Sequence, residues 1–396
     1  MGMKSVTKGF GRRTVAALCA LGCVLALLVA QSAASAAGTA SRPGAGGYWV
    51  LTGSPVVSVS RQTATLLSSG DVLEVGGCTQ CVPNYVQLYH PDTGSWSLTT
   101  PTPHPYNGAT ATLLPSGRVL VAGGYNGEGD PVQWDDVFDP ATAQWRSPQW
   151  MHRRRTGDTA TLLPSGSVLV AGGRTFIYGI TASTELYRPA RARWVHRGSM
   201  TQPRDSFQSV LLPDGTVLAM GGVDQNVVPT ATAELYDPVT GTWTATGSMT
   251  EARYGFTATL LPDGRVLVAG GGTESGYLSQ AEIYDPATGV WTPTGSMTGP
   301  RAWASATLLP DGLVLIAGGW DGLNTLNTAE LYDPATGTWS PTESMHESRS
   351  FFNLTLLPDG QVLADSGPTA ELYIPPSSRL SKPASIEATS ATEGFK

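Results

Sequence analysis

The side chains of this chain that could do chemistry are few, and no motif gathers them. Five histidines, His90, His104, His152, His196 and His346, include no pair at H-x-H or H-x-x-x-H spacing. Such spacing would aim two imidazoles from one strand or helix at one metal ion. No G-x-S-x-G nucleophile turn and no phosphate-cradling glycine loop is present. Asp158 and Asp205 are acids able to exchange protons, but their spacing does not select them. Cys78 and Cys81 form a single C-x-x-C, which supplies half a zinc site and lacks the βαβ context of a redox motif. A local disulfide is therefore expected, and no metal or cofactor.

The elements that must position these residues come from a repeat. Its cleanest copy reads RYGFTATLLPDGRVLVAGG from Arg253, then a variable stretch, then AEIYDPATGVWTPTGSM. Gly-Gly pairs begin at Gly76, Gly123, Gly172, Gly221, Gly270 and Gly318, with Ser366-Gly367 a degenerate seventh, at steps of 47, 49, 49, 49, 48 and 48 residues. A period near 50 residues is the signature of a propeller blade. Each copy predicts four short strands: TATLL, RVLVAGG, AEIYD and a fourth starting at a tryptophan. Pro-Asp-Gly or Pro-Ser-Gly turns the first pair and Asp-Pro-Ala-Thr-Gly the second. Gly-Gly is expected where strands crowd about the axis. The Tyr slot (Tyr89, Phe138, Tyr187, Tyr236, Tyr284, Tyr332, Tyr373) supplies apolar wedges between sheets.

Gly-Gly, then Tyr-Asp-Pro, then Trp, Met and Arg resembles the kelch motif. That resemblance implies an all-β, seven-bladed kelch β-propeller with four antiparallel strands per blade. The seventh copy has no tryptophan after Tyr373, whereas Trp49 precedes the first copy in the context WVLTGS, matching WTATGS at Trp243. The N-terminal strand near Trp49 is thus expected to complete the last blade, which removes two exposed strand edges. Galactose-oxidase-like enzymes are similar in fold and hold copper with two Tyr, two His and a Cys-modified Tyr. Here Tyr89-His90 fills the structural Tyr-Asp slot instead. The domain that follows the propeller in those enzymes has no counterpart expected in this sequence.

The two tight turns barely change between copies and lie on one face, while the connections from second to third strand diversify the other face. Loops there carry Tyr85, Tyr125, Trp134, Phe176, Tyr178, Tyr277 and Trp320 beside Asn126, Asp130, Asp224 and Asp321. Aromatic faces beside carboxylates and amides suit sugars or peptide backbones. In kelch proteins the positions after Gly-Gly and at the start of the first strand commonly form the binding surface. The resemblance assigns Tyr125, Arg174 and Trp320 to the former, and Tyr106, Arg155, Arg204, Tyr254, Trp303 and Phe351 to the latter. With Asp158, Asp205 and Asp321 these make the candidate ligand-binding set. Arg155, Arg204, Arg253, Arg301 and Arg349 recur in one slot, accompanied by Glu185, Glu234, Glu282, Glu330 and Glu371. Copies one and two lack both residues, which points to buried Arg–Glu pairs inside each blade.

Residues 1–36 read as a secretory signal: Lys4, Lys8, Arg12 and Arg13, then an uncharged run over 14–30, then Ala34-Ser35-Ala36. An uncleaved anchor at 14–30 is the alternative. Removing those four cations leaves 20 against 31 acids, a formal charge of −11, which repels nucleic acid. The propeller is expected over 44–375 and a flexible tail over 376–396. The expectation is a secreted or cell-surface monomer, a non-catalytic module taking a protein or carbohydrate ligand. A carbohydrate-active enzyme (oxidase, epimerase or lyase) is the alternative.

Overall fold

The fifth copy shows why the repeat folds as it does. Its strands are Thr257–Leu260, Val266–Ala269, Ala281–Asp285 and Val290–Pro293, paired antiparallel in that order. Asp263 caps the first turn by accepting the Arg265 N–H at 3.1 Å, and Gly264 takes φ +86° there. The apolar run of the second strand is buried at every position. That fits a strand covered on both faces. Across the outer pair, Tyr284 and Trp291 pack with ring centroids 4.9 Å apart.

The computed structural model describes residues 46–77, 84–146, 149–176 and 179–376, which fall within the unit Pro43–Lys396. Residues 1–36, expected as a signal, Cys78 and Cys81, expected as a disulfide, and residues 377–396 of the expected tail lie outside the described residues. Seven four-stranded sheets are present, with a two-stranded ribbon, Arg174–Thr175 with Gly179–Ile180, in the third blade. The chain is a seven-bladed, all-β propeller. The first strand of every blade contacts the first strands of both neighbours, so the ring closes. Closure runs through the N-terminal strand: Trp49 pairs with Tyr373 and Leu51 with Glu371, giving the last blade its fourth strand.

The core lies in the seams between blades. One apolar cluster joins Leu218, Met220 and Met249 of the fourth blade to Phe256, Val266 and Trp291 of the fifth. Another joins Val72 and Tyr89 of the first to Leu357 and Leu363 of the last. The Gly-Gly pair serves these seams as well as the axis. The second glycine donates to a carbonyl of the next blade, as in Gly271 N–H to Arg301 O at 2.9 Å. A methyl group on Gly270 would overlap that same oxygen.

One turn departs from the sequence reading. In the third blade the Asp-Pro-Ala-Thr-Gly slot reads Arg188-Pro189-Ala190-Arg191-Ala192. It folds as a 3-10 turn over Pro189–Arg191, and Ala192 is left-handed at φ 45°.

Candidate functional site

The recurrent arginines build the support beneath the variable face. Arg155, Arg204, Arg253, Arg301 and Arg349 lie 2.7, 3.0, 2.6, 2.8 and 3.1 Å from Glu185, Glu234, Glu282, Glu330 and Glu371, and all ten side chains are buried. Each guanidinium also donates to the first residue of the Gly-Gly slot, as Arg253 Nη1 does to Gly270 O at 2.9 Å. The glutamate's other oxygen accepts a backbone N–H from the loop that leads into the blade, as Glu282 does from Thr250 at 2.7 Å. The clamp thus ties three segments of one blade together.

The second blade fills the same slot with different chemistry. Tyr106, assigned to the ligand face, is instead fully buried, and its hydroxyl donates to Asp136 Oδ2 at 2.8 Å. In the first blade the arginine slot is Val59, and Gln87 holds the loop that leads in by accepting the Val57 N–H at 3.1 Å and donating to Val57 O at 3.0 Å. The tie between the third strand and the entry to the blade is therefore kept where Arg and Glu are both missing, a swap that counting residue types does not reveal.

Two residues after the arginine slot, all seven blades hold a left-handed residue: Arg61, Gly108, Gly157, Ser206, Gly255, Trp303 and Phe351, with φ from 52° to 64°. Successive slot residues are joined between blades by backbone hydrogen bonds of 2.7 to 3.4 Å, in six links around the ring. The residue after Gly-Gly is pinned alongside. Trp320 bridges Ala302, Arg174 bridges Thr156, and Tyr125 bridges Asn107. The start of the first strand and the position after Gly-Gly therefore meet at one mouth, on the variable face.

That mouth is asymmetric. On one side Trp303 stacks on Phe351 at 5.1 Å and meets Tyr254 and Tyr277 edge-on at 6.0 Å each. The Arg61 guanidinium lies over Phe351, 4.6 Å from the ring centre. A Cβ on Gly255 would stand 2.7 Å from Trp303 Nε1, so glycine there leaves room for the indole. On the other side Gly108 and Gly157 bring no side chain. There Arg174 Nε donates to Asp205 Oδ2 at 3.0 Å. Asp158, buried beside Gly123, keeps an oxygen with no partner, and burial lifts its carboxyl to about 7. Asp321 faces its own turn, accepting the Leu323 and Asn324 N–H groups at 2.7 Å each.

The histidines are elsewhere, each beside a carboxylate or a second histidine. His90 bonds Asp71, His104 bonds Asp136, His152 bonds Glu185 and His346 bonds Glu371, at 2.7 to 2.9 Å. His196 packs against His152 with ring centres 4.1 Å apart. Among the described residues, His152, Glu185 and His196 are the cluster able to hold a metal ion. Both Glu185 oxygens there are already engaged by Arg155, by His152 and by backbone N–H groups.

Burial also lifts Asp135, in the seam between the second and third blades, to about 8. An unfolded aspartate titrates near ~3.9, so between about pH 4 and 8 the native state holds a proton that the unfolded chain has lost. Stability at this site falls as pH rises through that window. Asp135→Asn should leave the melting temperature nearly unchanged at pH 4 and raise it at pH 8.5, read by calorimetry at both pH values.

Residues 206–250, 253–298 and 305–346 match the Kelch motif. Those three copies of the repeat are kelch motifs. The matches fall on the fourth to sixth blades of the propeller. No curated protein sequence matches the chain. Among solved structures, a fungal alcohol oxidase of the AA5 family, in complex with copper, superposes with a TM-score of 0.68 at 21% identity, covering 85% of this chain and 77% of that one. The likeness shows a shared fold. The copper is said of that protein alone; the mouth here presents Tyr254 and Tyr277 beside Trp303.

Proposed function

We propose that this kelch propeller is an extracytoplasmic, non-catalytic binding module that takes a carbohydrate at the mouth of its variable face. The carrying observation is the left-handed backbone at Trp303 and Phe351, in a slot where Gly108, Gly157 and Gly255 serve three other blades. A bulky residue held at positive φ costs about 1–3 kcal/mol. Stability alone favours glycine there, so the two rings answer to another requirement. Their exposed rims, with Tyr254, Tyr277 and Arg61, form an apolar wall with donors of the kind a sugar ring packs against and bonds to. Arg174, Asp205 and Asp158 supply polar groups opposite. The extracytoplasmic placement rests on the composition of residues 1–36.

The test is titration of neutral oligosaccharides (cello-, xylo-, malto- and chito-series) followed by tryptophan fluorescence. Trp303→Gly and Phe351→Gly should each weaken binding at least about tenfold while changing stability by about 1 kcal/mol or less, since relief of strain offsets lost stacking. Binding unaffected by both substitutions would refute the assignment.

Asp158 favours a second reading. A carboxyl poised at about 7 can exchange a proton near neutrality, as an acid–base enzyme acting on carbohydrate requires. Turnover of any sugar in the panel, lost in Asp158→Asn, would support it.

A further inference from the structure

The face opposite the mouth carries a second feature. A cleft of about 450 Å³ opens between the second and third blades, lined by Pro115, Ser116, Ser165, Ser167, Arg188 and Arg191 among others, and no acid lines it. It lies between the first hairpin turns of both blades and the second turn of the third.

Elsewhere the repeat makes the equivalent notch acidic. The first turns of the fourth to seventh blades carry Asp214, Asp263, Asp311 and Asp359, and the second turns of the fourth to sixth begin with Asp237, Asp285 and Asp333. In the second and third blades the first-turn acid is Ser116 or Ser165, and in the third blade Asp becomes Arg188 and Thr becomes Arg191. The change gives up local stability. Asp237 accepts the Val239 N–H at 2.8 Å, whereas the Arg188 turn has no side-chain cap. Only the charge gains.

The surroundings extend that charge. Residues 149–197, the third blade with the loop that enters it, hold eight of the 20 cations that follow residue 36, against two acids, Asp158 and Glu185, both buried. Arg191 and Arg193, in the second turn and the strand that follows it, are exposed. An acidic protein has thus gathered eight of its cations on one blade.

We propose that this cleft binds an anionic polysaccharide, with Arg188 and Arg191 gripping its carboxylate or sulfate groups and Ser116, Ser165 and Ser167 meeting its hydroxyls. Guanidinium forks suit planar oxyanions, and serine hydroxyls suit a polyol. The footprint chooses among polyanions. A stiff duplex or a flat bilayer would lie across Asp214, Asp263, Asp311 and Asp359 on the same face and be repelled. A single flexible acidic chain can stay within the cleft.

The experiment measures binding of polygalacturonate and dextran sulfate at 50 and 300 mM salt, as about one-third and twice physiological ionic strength, with neutral dextran as control. The variant is R188D/R191T, which gives this turn the sequence of the second blade's turn, Asp139 to Ala143, and should keep or raise the melting temperature. Wild-type protein should bind both anionic polymers, bind neither at high salt, and ignore dextran. R188D/R191T should lose at least about tenfold. Trp303→Gly should bind them normally, which separates this site from the mouth. The proposal fails if wild-type protein binds neither polymer at low salt, if R188D/R191T binds as well as wild type, or if duplex DNA or phosphatidylglycerol vesicles bind more tightly than the polysaccharides.

Discussion

Deletion of residues 46–54 is expected to abolish cooperative unfolding. The lost strand, Tyr48–Leu51, covers the edge of Thr369–Ile374 in the last blade. Trp49 leaves the seam it shares with Leu315, Met345 and Tyr373, together with its indole bond to Glu343 O at 3.0 Å. Burying a tryptophan of ~200 Å² is worth about 5 kcal/mol as an upper figure, before the strand's own hydrogen bonds are counted. Domains have only about 5–15 kcal/mol to lose. The deletion also cuts the link to the first blade, where Thr52 Oγ1 meets Tyr89 OH at 2.9 Å and Gly53 N–H reaches Gly94 O at 2.9 Å. Calorimetry should show a broad or absent transition and the protein should associate through its open edge. A sharp transition at the wild-type temperature would mean that the ring closes without this strand.

Arg253→Ala should cost about 3–5 kcal/mol, the range for removing one partner of a buried ion pair. The alanine leaves Glu282 buried without its guanidinium and orphans the Gly270 carbonyl, now bonded by Arg253 Nη1, while the Gln280 carbonyl keeps only the Gly270 N–H. Arg253→Lys should recover little, because an ammonium cannot span the carbonyls and the carboxylate together. Replacing both members by apolar residues, as in Arg253→Met with Glu282→Leu, should cost less than the alanine, since no charge stays unpaired. A melting temperature unchanged by Arg253→Ala would show that the clamp does not hold the blade.

Much of this was legible in the sequence because it repeats. The period set the blade count, and Trp49 in a fourth-strand context set the closure, since a strand that lacks its edge partner must find one. Arg and Glu appeared and vanished together across copies, as two partners of one buried contact must. What the sequence hid were exchanges of one interaction for another. Tyr106 with Asp136 keeps the slot's hydrogen bond while discarding both residue types. The left-handed slot was masked because Arg61, Ser206, Trp303 and Phe351 share no chemistry with the glycines they align to; they share only φ. Tyr254, aligned by eye with Trp303, is one residue earlier in the slot order and reaches the mouth from beside Gly272. Arg188 and Arg191 were visible as departures from Asp and Thr. Their meaning came from the cleft that the fold places between two blades.

The most direct test of the mouth as the binding site is oxidative footprinting of the wild-type protein with and without the neutral oligosaccharide panel. Trp303, Phe351, Tyr254 and Tyr277 should become protected in the presence of the sugar that binds. Trp150 and Phe176, which are 52% and 59% exposed and lie outside the aromatic wall, should be oxidised as before. Protection of Trp150 or Phe176 with Trp303 unchanged, or no protection with any sugar, would contradict the account.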